Sequence, residues 1–187
     1  MISIKPFETE HLEETSQLFS KRYRTLKTEN DLFPVTFQDE SMIHSMLEEL
    51  IQEHHGAVAI EGNRVVGYLV GFSNIKTFKS PATGVYVPAW GHCVDHSKDT
   101  EAVYTALYSH MSAEWVKQKC YAQLLTFFIP DERLKNLLFG LGFGLFLIDG
   151  IRDFSPLVVT QDDDIEIVAA TEDDLPALTK MDHQLER

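Results

Sequence analysis

Cysteine is scarce in this 187-residue chain: only Cys93 and Cys120 occur. They form neither a CxxC pair nor a ladder of metal ligands, which excludes a disulfide scaffold and a zinc ribbon. Free thiols in a reducing cytoplasm are the expectation. Long apolar runs are missing too. The greasiest stretch, residues 137–148, is broken by Gly140, Gly142 and Gly144 and falls short of the roughly 20 residues that cross a bilayer. Met1-Ile2-Ser3-Ile4-Lys5-Pro6 has no basic head leading into an apolar core, so no secretory signal is predicted. Basic residues are few, 16 Lys+Arg against 29 Asp+Glu, for a net charge of −13. That balance argues against nucleic acid or an anionic membrane as partner through a basic surface. What the chain does have is a 44% apolar fraction, enough for a sizeable core.

Apolar periodicity sets out the elements. Ile2 and Ile4 alternate as in a short strand, and Thr9 is placed to cap a helix carrying Leu12, Phe19, Tyr23 and Leu26. Ile43, Met46, Leu47, Leu50 and Ile51 follow the i, i+3, i+4, i+7, i+8 rule of a second helix, with Gly56 as its stop. Strands are predicted at 57–60 and 64–72 around Glu61-Gly62-Asn63, and a third at 84–94. Val103, Ala106, Leu107, Met111 and Trp115 mark a long amphipathic helix. Residues 121–129 are nearly all apolar, as in a strand buried on both faces. Pro130-Asp131-Glu132 opens a short helix that ends at Gly140 or Gly142. A closing hairpin is predicted over 143–154, turning at Asp149-Gly150. The order implies an α/β fold, a mixed sheet with helices on its faces.

The tail repeats the opening. After the charged stretch 161–164, Ile165 and Ile167 alternate, Thr171 caps an acidic helix start, and Leu175 follows. Ile165, Ile167, Asp173 and Leu175 match Ile2, Ile4, Glu10 and Leu12 at one constant offset. The expected organisation is a first domain over 1–160, an acidic linker over 161–164, and the start of a second, similar domain over 165–187. The net charge has an address as well. Residues 161–187 hold nine acids and two bases, so more than half of the excess negative charge lies outside the first domain.

Element order, the Leu-Gly-Phe at Leu141-Gly142-Phe143 and the strand entry Arg64-Val65-Val66-Gly67-Tyr68 together resemble the GNAT family of N-acetyltransferases. The resemblance covers residues 2 to about 157. It implies a mostly antiparallel mixed sheet with helices on both faces and a splay between the fourth and fifth strands, where acetyl-CoA lies. A downstream second GNAT-like domain would be a partner. In the family, backbone amides at the start of the next helix hold the pyrophosphate, as a helix N-terminus does generally. The family pattern there, Gln/Arg-x-x-Gly-x-Gly/Ala, falls on Asp99-Thr100-Glu101-Ala102-Val103-Tyr104. The resemblance thus implies cofactor contacts at Val94, Ala102, Val103, Tyr104 and Asp131, the last standing where the family often has asparagine.

The departures are specific. Asp99 and Glu101 would each repel a phosphate about 4 Å away by roughly 1 kcal/mol in water, and Tyr104 would fill space that the phosphates need. The same acids are good first-turn residues for an isolated helix. Leu138 occupies the position of the family's tyrosine acid and cannot donate a proton. The remaining candidates lie on the fourth strand and its exit. His92 is a candidate general base, with an ordinary pKa near 6.5, and Asp95 sits beside it in sequence. Strand alternation places Trp90, His92 and Val94 on one face, and Cys93 and Asp95 on the other. His92, Cys93, Asp95 and His96 also invite a zinc reading, which that alternation disfavours. Two functions remain. One is acetyl transfer from acetyl-CoA to a small-molecule or peptide amine. The other is a degenerate, cofactor-free copy with a structural, acceptor-shaping or interdomain role.

Overall fold

The structure, a computed structural model, describes residues 2–76, 82–156 and 168–185. Contacts divide the chain into two units, Met1–Arg152 and Asp153–Arg187. In the first, β1 (Ile2–Pro6) leads through a 3-10 turn (Thr9–His11) into α1 (Leu12–Glu29), followed by α2 (Glu40–Glu53). Next come β2 (Gly56–Glu61), β3 (Arg64–Val70), β4 (Phe72–Lys76), β5 (Thr83–Val87) and β6 (His92–Val94). The unit continues with α3 (Thr100–Lys117), β7 (Ala122–Leu125) and α4 (Glu132–Gly140).

Caps explain where the helices begin. Glu8, not Thr9, opens the first: its carboxylate meets the His11 amide, and its own N–H donates to His11 Nδ1 at 3.1 Å. Asp39 accepts from Ser41 N at 2.9 Å to start α2. The second helix then buries Ile43, Leu47 and Leu50, as its periodicity predicts. Each such side chain contributes roughly 1.5–3 kcal/mol by leaving water.

The two long runs expected as single strands, 64–72 and 84–94, both break at the same level. Gly71 separates β3 from β4, and the turn Pro88–Gly91 separates β5 from β6. Close backbone approach is the cause. A Cβ on Gly91 would lie 2.5 Å from Val70 O, and one on Gly71 would lie 2.8 Å from Tyr86 O. Pro88 has no N–H to give a ladder. The result is two sheets. One has the order β1-β2-β3-β6, antiparallel throughout; the other has the order β4-β5-β7, with β5 and β7 parallel. β5 is therefore hydrogen-bonded to β7, while its continuation β6 pairs, among the described residues, only with β3. The last rung is Val87 against Leu125, and beyond it the strands diverge.

Helices cover both faces. Val85, Val87, Val94, Val103, Leu107, Trp115 and Leu138 form the core beneath α3 and α4. Leu12, Phe19, Tyr23, Leu47, Tyr68 and Cys93 form the one beneath α1 and α2. Among the described residues no helix is long and apolar enough to cross a membrane.

Three expectations are corrected. The closing hairpin does not form: no residue of 143–152 lies in a strand, and Leu145, Leu147, Ile148 and Ile151 are exposed. Its composition suits a strand, but a strand exists only through a partner edge, and Gly142, at φ 93°, turns the chain after α4. The strand expected over 121–129 is four residues long and half-buried, because among the described residues it has a neighbour on one side only. Trp90 packs with Cys93 towards α1 and α2, not with His92, because the turn at 88–91 interrupts the alternation.

In the second unit, a 3-10 turn (Glu172–Asp174) runs into α5 (Leu175–Leu185). Thr171 N donates to Asp174 Oδ2 at 2.8 Å, and the Thr171 side chain accepts from the Asp174 amide, which makes a capping box. The turn and the helix start lie 163 residues after Thr9–His11 and Leu12. The linker 161–164 and the strand expected at 165–167 fall outside the described residues.

Candidate functional site

The splay between β6 and β7 is the candidate site. His92 opens β6 with 4% of its surface exposed, and its ring spans the gap. Nε2 lies 2.8 Å from Thr126 O, at the exit of β7. A carbonyl only accepts, so Nε2 carries the proton, and in the neutral ring Nδ1 accepts. Its partner is the Tyr104 hydroxyl of α3, 3.0 Å away. Burial drives the His92 pKa below the ordinary value; the Thr126 bond opposes this and does not overcome it. Both nitrogens of a neutral imidazole are thereby engaged. Burial also raises the Tyr104 hydroxyl well above its usual range.

Tyr104 is 5% exposed. Its side chain turns into the core and fills the interior of the splay. Val94 and Val103 are buried in the same core, 1% and 0% exposed. At the helix start, Asp99 Oδ1 accepts from Ala102 N at 3.1 Å, so a carboxylate already takes an amide that an anion would need. Ala102 and Glu101 are exposed.

Beside this bridge lies an ionic cluster that the spacing of residues did not reveal. Asp131 caps α4 by accepting from Leu134 N at 3.2 Å. Its second oxygen receives Arg22 Nη2 of α1 at 3.1 Å, and His96 Nε2 is 3.6 Å away. Burial, then the Arg22 charge, lower the His96 pKa against the pull of Asp131. A cavity of about 20 Å³ adjoins Arg22, His96 and Asp131 as well as His92, Cys93 and Tyr104, with room for one water. Arg22 Nε is buried with no hydrogen-bond partner among the described residues. Asp95 Oδ1 accepts from Ser97 N at 2.9 Å. Burial works against its carboxylate, but the Ser97 bonds and the charges of Lys21 and Arg64 outweigh it and hold the pKa low. Burial pushes the Cys93 thiol up to about 12. His92 and Cys93 belong to opposite layers, and no cluster of three ligating side chains that could hold a metal ion occurs among the described residues.

A groove of about 800 Å³ lies between the start of α3 and α4. Lys98, Thr100, Glu101 and Arg133 line it, together with Asn136. Lys98 is already bound to Glu61 at 2.6 Å. Leu138, at the position of the family's tyrosine, is packed into the core.

His92 and Tyr104 thus occupy the interior of the splay, and Asp99 caps the helix start with Glu101 exposed beside it.

No protein-family profile matches the chain, and no curated protein matches it by sequence. Solved structures do match. An aminoglycoside N-acetyltransferase in complex with CoA superposes at a TM-score of 0.62 and 14% identity, over 82% of this chain and 95% of that one. A GCN5-related N-acetyltransferase from Ralstonia eutropha JMP134 gives 0.62 and 15%, over 82% and 99%. The ribosomal-protein-alanine N-acetyltransferase from Brucella melitensis biovar Abortus 2308 gives 0.59 and 12%, over 82% and 99%. At such identities the likeness is one of fold, and the chain has the α/β fold of the GNAT N-acetyltransferases.

Proposed function

We propose that the described domain is a cofactor-free copy of this fold, acting as a structural or acceptor-shaping partner rather than as a transferase in its own right. The observation that carries this reading is the bridge from His92 to Thr126 and Tyr104, which takes up the interior of the splay. Asp99 at the helix start and Leu138 in the core support it. The partner role draws support from the repeated capping box and helix entry 163 residues on, where 165–187 would begin a second copy.

A second reading is an acetyl-CoA-dependent N-acetyltransferase acting on a small-molecule or peptide amine. The groove between α3 and α4 favours it, since Arg133 and the buried hydroxyl of Thr100, unpartnered among the described residues, line that space. Titration calorimetry with acetyl-CoA separates the two. The cofactor-free reading expects no saturable heat up to millimolar ligand. Micromolar affinity, roughly −8 kcal/mol, would establish the second reading in its place.

A further inference from the structure

We propose that the cavity beside His92 binds a single water molecule, which joins the His92–Tyr104 bridge to the Arg22–Asp131–His96 cluster in one buried hydrogen-bonded network. The cavity is about 20 Å³, which takes one water and excludes any organic ligand. Its walls come from separate parts of the chain. Arg22 reaches it from α1, His92 from β6, His96 from just beyond that strand, Tyr104 from α3, and Asp131 from the cap of α4. These side chains belong to both halves of the site, the neutral bridge and the ionic cluster. Among the described residues no direct hydrogen bond connects the two halves.

Donors and acceptors around the cavity fix the partners. His92 Nε2 gives its proton to Thr126 O at 2.8 Å, so the Tyr104 hydroxyl gives its own to Nδ1 at 3.0 Å. The Tyr104 oxygen is then left as an acceptor only. Arg22 Nε is a buried donor with no partner among the described residues. Asp131 takes Leu134 N on Oδ1 at 3.2 Å and Arg22 Nη2 on Oδ2 at 3.1 Å, and a carboxylate oxygen can accept a second bond. A water that accepts from Arg22 Nε and donates to Tyr104 Oη and Asp131 Oδ2 makes about three bonds, the usual number for a buried water.

Charge selects a neutral occupant. Arg22 opposes a cation in this space and Asp131 opposes an anion. Burial dominates the Tyr104 pKa, followed by the charges of Cys93 and Asp131, which raise it, and of Arg22, which lowers it. Both members of the ion pair therefore lie within electrostatic reach of the Tyr104 oxygen. The Cys93 thiol does not compete for the water, since Sγ donates towards Leu18 O at 3.8 Å and Val94 O at 3.9 Å. The water in turn fixes the bridge. By donating to Tyr104 Oη it leaves the Tyr104 proton for Nδ1 and holds His92 in one tautomer.

A crystal structure of the full chain at a resolution that shows ordered waters tests this, with nitrogen NMR of the arginine and imidazole side chains in parallel. The expected result is one water within hydrogen-bonding distance of Arg22 Nε, Tyr104 Oη and Asp131 Oδ2, and an Arg22 Nε–H that exchanges slowly with bulk solvent. The Tyr104→Phe variant should keep its circular dichroism spectrum, hold the water at reduced occupancy or not at all, and exchange Arg22 Nε–H roughly tenfold faster, as one lost hydrogen bond implies. Arg22→Lys keeps the charge beside Asp131 and removes Nε; it should move the His92 Nδ1 resonance through the water and Tyr104. An empty cavity in the wild-type crystal would overturn the proposal, and so would an ion in its place. A water that keeps full occupancy in the Tyr104→Phe variant with unchanged Arg22 exchange, or a His92 resonance blind to Arg22→Lys, would show that the bridge and the cluster are separate and would overturn it as well.

Discussion

Replacing His92 by leucine removes both hydrogen bonds across the splay while nearly conserving volume. The Tyr104 hydroxyl, buried at 3.0 Å from Nδ1, loses its partner, which costs about 1–3 kcal/mol. The Thr126 carbonyl is only partly buried, so its lost bond adds roughly 0.5–1.5 kcal/mol. Urea unfolding at pH 7 should therefore show a loss of about 2–4 kcal/mol. The pH dependence has a definite sign. The folded His92 pKa lies below that of the unfolded chain, so the unfolded state takes up the proton first as pH falls. Wild-type stability is full above about pH 6.5 and declines below it, by up to about 1.4 kcal/mol per pH unit for this group. His96 shifts the same way and adds to the slope. In the leucine variant only the His96 contribution remains. A loss under about 0.5 kcal/mol at pH 7, or a wild-type stability flat between pH 6.5 and 5, would refute the buried neutral bridge.

Asp131→Ala removes a helix cap and leaves Arg22 without its carboxylate; thermal unfolding should register roughly 2–4 kcal/mol. Gly91→Ala drives a methyl to 2.5 Å from Val70 O and should cost about 1–3 kcal/mol, measured by the same unfolding, whereas Gly140→Ala, with open space around it, should be near neutral. Cys93 and Cys120 are 3% and 0% exposed, and the Cys93 thiol is held protonated at about 12. Ellman's reagent at pH 7 should therefore label neither until urea unfolds the chain; rapid labelling of the native protein would contradict their burial.

Much of the fold is legible in residue patterns. The stripe of Ile43, Leu47 and Leu50 and the stripe of Val103, Leu107, Met111 and Trp115 are local signals, and both helices bury those residues. Alternation also places His92 and Cys93 on opposite faces correctly. Non-local contacts are what it misses. Nothing near His92 in sequence announces Tyr104, twelve positions on, or the Thr126 carbonyl; only the crossing of α3 over the splay joins them. The signal was present in part, since a tyrosine stands where the family keeps glycine or alanine. Its inward direction depends on packing. Asp131 shows the same limit: resemblance suggests a cofactor contact, while its helix cap and Arg22 account for its oxygens. The strand signal in 143–151 marks a tendency to pair without naming the partner.

The account rests on His92 being a neutral side chain that fills the slot. Imidazole nitrogen NMR of His92, recorded with and without millimolar acetyl-CoA, tests it most directly. The predicted spectrum is a single neutral ring protonated at Nε2, not titrating near pH 6.5 and unmoved by the ligand. An imidazole that titrates near 6.5, or that shifts when acetyl-CoA is added, would contradict it.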